Sequence, residues 1–334
     1  MKRLKIGQIG IGHNHGSEKM RAVRKFPELF EVIGWCEEDE DWISKRGGLD
    51  VYRGIPRLGR EELLERAEVM LIETDVWRMM EAARACVERG IHIHLDKPAG
   101  ENYSEYENII KTAKEKNTVV QLVYMYRYNP SVRYIEEKIR SGETGRVLMI
   151  DSAMCTEHDC EFRKWLEHFQ GGDMYIFGSH LIDLILRLQG EPEKVHSFLK
   201  KTRLDSVDSY DSTLALLEYL DGVSTVRVTS VEANGYGRRQ LVVVCENCSF
   251  EIKPMENPTI LRCTPVGKYN AYQNHYEEIM LPPQSGRYDD MICDLYSFVI
   301  GEMPNPYDYD YELRLHRLIL DACEIGVEEQ GRQV

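Results

Sequence analysis

The sequence predicts an α/β protein, with a parallel, helix-flanked sheet over residues 1–124 and a second α/β region over residues 125–334. Three observations carry that prediction. Short apolar segments alternate with helical ones as far as Tyr124, a glycine-rich turn follows the first apolar segment, and hairpin-like strands succeed one another beyond Leu188. Alternating strands and helices make a parallel sheet with its ligands outside the strands' carboxyl ends, whereas consecutive hairpins make an antiparallel one. With 334 residues, 43% of them hydrophobic, the chain can bury one large core or two moderate ones, so two domains are expected.

The first strand is Lys5 to Ile9, and Gly10-Ile11-Gly12-His13-Asn14-His15-Gly16 leads from it into a helix from Ser17 to Phe26. In this context the first glycine permits a tight turn and the second admits a pyrophosphate close to the backbone. The third glycine falls one place late for G-x-G-x-x-G. Gly10, Ile11, Gly12, His13 and Asn14 are therefore the expected cofactor cradle. The strand Glu31 to Cys36 ends at Glu37, whose carboxylate can accept both hydroxyls of an adenosine ribose. Glu38 follows where an arginine would greet a 2′-phosphate, so NAD is favoured over NADP.

Val69 to Glu73 is a further strand ending at Thr74, and a helix runs from Met79 to Arg89 with Gly90 as its stop. Ile91 to Leu95 then delivers Asp96-Lys97-Pro98 to the sheet edge. A capping box at Ser104 to Glu107 is expected to start a helix to Lys116, and Thr118 to Tyr124 closes the parallel set. Beyond it, Asn129-Pro130 starts a helix to Ser141, Val147 to Met154 is a strand, and Met174 to Leu188 is a helix. Strands are expected at 195–200, 213–219, 223–231, 240–244 and 249–252, with a hairpin turn at Asp221-Gly222. Two helices, 288–301 and 309–329, end the pattern.

The formal net charge of −14 argues against a nucleic-acid or anionic-membrane surface. No apolar run is long enough to span a bilayer, and no signal-peptide hydrophobic region follows Met1, so a cytoplasmic protein is expected. Nine cysteines suit reduced thiols better than a disulfide framework. Only Cys245 and Cys248 have metal-like spacing, and without a convincing second pair no metal is expected.

Two stretches carry chemistry. Lys97 presents an ammonium at a strand end, and Gly178-Ser179-His180-Leu181-Ile182-Asp183 places His180 and Asp183 three apart on one helical face, where Asp183 could orient the imidazole. A histidine can take a hydroxyl proton while hydride leaves the same carbon, and a lysine can lower that hydroxyl's pKa. Lys97 and His180 are the expected catalytic pair.

The glycine turn, Asp96-Lys97-Pro98, Tyr126-Arg127-Tyr128-Asn129-Pro130, the Gly-x-His-x-x-Asp at 178–183 and the closing helices together resemble the glucose/fructose oxidoreductase and inositol dehydrogenase family, Gfo/Idh/MocA. The resemblance covers nearly the full chain. It implies a Rossmann domain, a C-terminal α/β domain with an open, mostly antiparallel sheet, and NAD(P)-dependent oxidation of a sugar or polyol hydroxyl. Homodimers or homotetramers through those sheets are implied too. Position by position, the family's lysine is Lys97, with Asp96 in place of glutamate, and its histidine is His180. The family's carboxylate position holds Ile176, which Asp173, one turn earlier, could compensate. Thr74-Asp75-Val76-Trp77 replaces the usual run after the fourth strand, and Trp77 is a candidate cover for the nicotinamide.

Met125 and Arg127 fall where the family lines its substrate crevice. Arg127 is read as a clamp for carboxylate or hydroxyls, or as an interdomain salt bridge. Trp165 offers a flat face to a sugar ring or to the core, and His158 stands in an irregular segment able to reach the same crevice. Three functions are weighed: an NAD-dependent dehydrogenase of a sugar, polyol or sugar derivative; a dinucleotide-binding sensor that has lost its chemistry, suggested by Ile176; and a glycosidase or lyase that regenerates its own NAD.

Overall fold

The computed structural model describes residues 2–13, 15–270 and 272–326, which leaves Asn14 outside the described residues. It separates the chain into two units, one of Met1–Met125 with Ser285–His316, the other of Tyr126–Gln284 with the residues from Arg317 on.

The first unit is the expected parallel sheet. Its elements run β1 (Leu4–Ile9), α1 (Gly16–Val23), β2 (Phe30–Cys36), α2 (Glu40–Arg46), α3 (Arg60–Arg66), β3 (Val69–Ile72), α4 (Met79–Glu88), β4 (His92–Leu95), α5 (Tyr103–Lys116) and β5 (Val120–Leu122). Strand order is β2-β1-β3-β4-β5, all parallel. Helices on both faces bury these strands on both sides, which explains the unbroken apolar run Val69-Met70-Leu71-Ile72 at the centre, each residue fully buried. The start of α5 differs from the expected capping box: Asn102 is the cap, its side-chain oxygen accepting from the Glu105 N–H at 3.0 Å. Asn wins because it caps at least as well as Ser and lies directly before the helix. At the other end Asn117 adopts the left-handed conformation, φ 54°.

The second unit contains α6 (Pro130–Arg140), β6 (Val147–Cys155), α7 (Cys160–Trp165), α8 (Ser179–Gln189), β7 (Lys194–Lys200), β8 (Ser212–Tyr219), β9 (Gly222–Thr229), β10 (Gln240–Cys245), β11 (Cys248–Ile252), β12 (Leu261–Pro265) and β13 (Glu277–Ile279). Asn129 caps α6 and Pro130 opens it, as the sequence predicts. The sheet has eight strands in the order β13-β12-β11-β10-β6-β9-β8-β7. All its pairs are antiparallel except β6 with β9, which is parallel. The β8–β9 turn is one residue earlier than expected: Leu220 and Asp221 form it, and Gly222 already pairs with Tyr219. Strands β12 and β13 have no expected counterpart; they are short and mostly part-exposed, so their hydrophobic pattern is weak. The chain ends in α9 (Asp289–Val299) and α10 (Tyr309–Ala322); α9 and the first part of α10 belong to the first unit. Among the described residues no helix is long and apolar enough to cross a membrane.

Candidate active site

In the first unit the carboxyl ends of β1, β3 and β4 stand side by side. Gly10 has φ +87°, and a Cβ there would lie 2.3 Å from the Thr74 N. Only glycine permits the turn and the end of β3 to approach so closely. The Gly10 N–H donates to the Cys36 carbonyl at 2.8 Å, and the His13 N–H to the Glu73 carbonyl at 3.1 Å. Glu37 points back at the same turn. Its carboxylate accepts from the N–H groups of Ile11 at 2.9 Å, Glu38 at 2.9 Å and Asp39 at 3.1 Å. Gly10, Glu37 and Thr74 line one pocket with Glu38 and Arg78. A glycine turn that only glycine fits, with an anchored carboxylate at the next strand's end, matches what an adenosine dinucleotide requires.

Beneath the turn lies a polar network invisible in the sequence. Lys19 of α1, fully buried, donates to Glu73 at 2.7 Å and also to Asp96. Both carboxylates are fully buried. The Nδ1 atoms of His13 and His15 lie 3.1 and 3.3 Å from the Asp96 Oδ2 that Lys19 binds. Asp96 Oδ1 accepts from the Lys97 N–H at 2.7 Å. Asp96 thus joins the glycine turn, α1 and the Lys97 loop through one carboxylate. Burial alone would raise its pKa, but His13 and Lys19 hold it well below the usual carboxylate range. Burial pushes Glu73 up to about 8 against the pull of Lys19, and lowers His15 to about 4. His13, His15 and Asp96 are close enough to hold a cation, and Lys19 supplies one at that oxygen. Lys97 itself is 5% exposed. Trp77 stands at the surface, 49% exposed, and Met125 Sδ accepts from Arg287 Nε at 2.8 Å.

In the second unit a five-residue π-helical segment, Met174–Gly178, runs into α8 just before His180; such segments are frequent at functional sites. His180 is buried and meets the Tyr126 ring edge-to-face at 5.3 Å. The Tyr126 hydroxyl donates to Glu256, which Arg239 also binds at 3.1 Å. Asp183, on the same helix, binds Arg127. Its carboxylate takes two bonds from Arg127 Nε, at 3.1 and 3.0 Å, and one from Nη2 at 2.7 Å. Both side chains are almost wholly buried, so Arg127 and Asp183 form an ion pair internal to this unit. A guanidinium fork matches a carboxylate more closely than an imidazole does, which is why the pair forms.

His158 stacks on Phe162 at 4.0 Å and on Phe177 at 5.3 Å, and burial lowers its pKa to about 4, which keeps it neutral. Trp165 packs against Phe162 and Phe169. Ile176 is buried. Asp173 is fully buried, its N–H donating to the Tyr210 carbonyl, and burial pushes its carboxyl up to about 7. Cys245 and Cys248 flank the Glu246-Asn247 turn between β10 and β11, and both are free thiols. The first unit therefore gathers Gly10, Ile11, Gly12, His13, Glu37, Thr74, Asp96, Lys97 and Met125, and the second Arg127, His158, Trp165, Ile176 and His180.

A five-stranded parallel sheet with this glycine turn defines a dinucleotide-binding domain. Residues 4–124 match the family description "Oxidoreductase family, NAD-binding Rossmann fold", and residues 132–251 match "GFO/IDH/MocA C-terminal domain". The chain belongs to the Gfo/Idh/MocA family. It is 23% identical over 195 residues to the 4-carboxy-2-hydroxymuconate-6-semialdehyde dehydrogenase of Sphingobium sp. (strain NBRC 103272 / SYK-6), an alignment covering 55% of this chain and 57% of that protein. It thus spans little more than half the length of the curated relatives it matches, at 57%, 57% and 61%. The fold is shared with levoglucosan dehydrogenase in complex with NADH and L-sorbose, at TM-score 0.82 and 18% identity over 97% of this chain and 96% of that one. It is also shared with the UDP-N-acetylglucosamine 3-dehydrogenase of Acidithiobacillus ferrooxidans, at TM-score 0.79 and 16% identity over 98% and 99%.

Proposed function

We propose that the chain is an NAD-dependent dehydrogenase acting on a secondary hydroxyl of a sugar, polyol or sugar derivative. The observation that carries this is Lys97, whose backbone N–H is held by Asp96 at the end of β4 in a domain that matches the NAD-binding oxidoreductase family. The bound nicotinamide supplies a hydride acceptor. Lys97 donates to the reacting oxygen and favours its alkoxide, and His180 receives the proton. Met125, His158, Trp165 and Ile176 contact the substrate. The preference for NAD rests on Glu37 and Glu38, which accept ribose hydroxyls and repel a 2′-phosphate. A sugar or sugar derivative is supported by what levoglucosan dehydrogenase and UDP-N-acetylglucosamine 3-dehydrogenase are named for.

The chain works in the cytoplasm as a homodimer or homotetramer. Assembly through the second unit's sheet is supported by Met149 and Phe198, which share one face and are 40% and 50% exposed. Ile176, buried where the family has a carboxylate, favours a second reading as a dinucleotide sensor. Purified protein with NAD or NADP and a panel of sugars, cyclic polyols and sugar nucleotides decides between them. Reduced nicotinamide forms with NAD if the dehydrogenase reading holds. Tight cofactor binding with no reduction across the panel favours the sensor.

A further inference from the structure

Trp42 is absorbed by none of the chemistry above. It lies in α2, and its indole covers Gly12: a Cβ on that glycine would stand 2.7 Å from Trp42 Nε1 and 2.9 Å from its Cδ1 and Cε2. The second glycine of this turn is the one whose missing side chain lets a pyrophosphate reach the backbone. The space left by glycine is thus filled by an indole. The Trp42 Nε1–H donates to Asp75 Oδ2 at 3.4 Å, so the ring spans from the glycine turn to the segment after β3, the two sides between which a dinucleotide lies. Lys45 and Arg46 stand 5.1 and 5.2 Å from the indole centroid. Arg46 also donates to the His13 carbonyl at 2.8 Å, tying α2 to the turn. On its inner side Trp42 packs against the cluster of Ile11, Met20, Trp35, Val51 and Tyr52.

We propose that Trp42 is a residue of the dinucleotide site that controls entry: its indole occupies the pyrophosphate position over Gly12 and must swing away from Asp75 before NAD(H) binds. Across the cleft the indole is held by a single long hydrogen bond to Asp75, and its remaining contacts are on its own side, with Lys45, Arg46 and the Ile11 cluster. Lys45, carried on the same helix, becomes available to the phosphates once the ring leaves. Binding is then limited by the fraction of protein in which the cleft is open, and removing the plug raises apparent affinity by that factor.

The test uses the full chain and NADH alone. NADH affinity is measured by calorimetry and association by stopped-flow fluorescence, in wild type, W42A and W42F. W42F keeps an aromatic ring on the Ile11 cluster but loses the bond to Asp75, which guards against a merely unfolded W42A. Wild type should show an association rate that saturates with NADH. W42F should bind a few-fold tighter and W42A about tenfold tighter, with saturation lost. Unchanged affinity in both variants overturns the proposal. So does weaker binding in both with normal thermal unfolding, because the indole would then be a contact that holds the cofactor in place.

Discussion

Replacing Lys19 with methionine is the sharpest probe of what holds the first unit's site together. The ammonium serves two carboxylates, Glu73 and Asp96, and all three groups are fully buried. Removing one partner from a buried ion cluster leaves an uncompensated charge and costs about 3–5 kcal/mol. Glu73 sheds part of that burden, because burial already pushes it up to about 8 and it can hold a proton near neutral pH. Asp96 cannot do so readily; it is held well below the usual range and keeps His13, His15 and the Lys97 N–H as polar neighbours. The lower end, about 3 kcal/mol, is therefore expected. For a unit of this size that corresponds to a fall in Tm of roughly 6–12 °C. Calorimetric unfolding measures it. Adding E73Q to K19M replaces the carboxyl that must take up a proton with a neutral amide and should recover part of the loss. A K19M protein within about 1 kcal/mol of wild type would refute the reasoning, since no buried ion pair broken on one side is that cheap.

Other outcomes follow from the same contacts. R127M should unfold several degrees earlier, by about 3 kcal/mol or more, because it removes the buried counter-ion of Asp183; a raised KM with unchanged stability would assign Arg127 to the substrate instead. Acid should destabilise the fold. Burial lowers His15 and His158 to about 4 and His94 and His316 to about 3. The unfolded chain takes up those protons first, so their contribution, present above about pH 6.5, is lost as pH falls toward 4. Glu73, raised to about 8, and Asp173, raised to about 7, act oppositely, stabilising as pH falls through those values, but they are two groups against four. Urea midpoints between pH 4 and 7 should rise with pH; a flat or falling profile contradicts the assignment of neutral buried histidines.

The parallel sheet was legible because its strands read as apolar runs separated by amphipathic helices, and because Gly10 sits where only glycine can turn. The β8–β9 hairpin was legible from alternation. What escaped was long-range polar pairing. Lys19 sits beside Met20 and one turn before Val23 on a buried helical face, so a lysine at a core position was the one available signal. Its partners, 54 and 77 residues away, are set by strand order rather than by spacing. The Arg127–Asp183 pair, 56 residues apart, escaped for the same reason. Tyr126 and Glu256, 130 residues apart, had no local pattern at all. The stack of His158 with Phe162 and Phe177 depends on α7 folding back on the π-helical segment, which no periodicity reports.

The central claim is that Lys97 is the catalytic ammonium. Lys97→Ala, assayed for reduced nicotinamide on whichever panel substrate the wild type oxidises, tests it most directly. Turnover should fall about a hundredfold or more, with NADH affinity unchanged because the glycine turn and Glu37 remain. Turnover near that of wild type would contradict it.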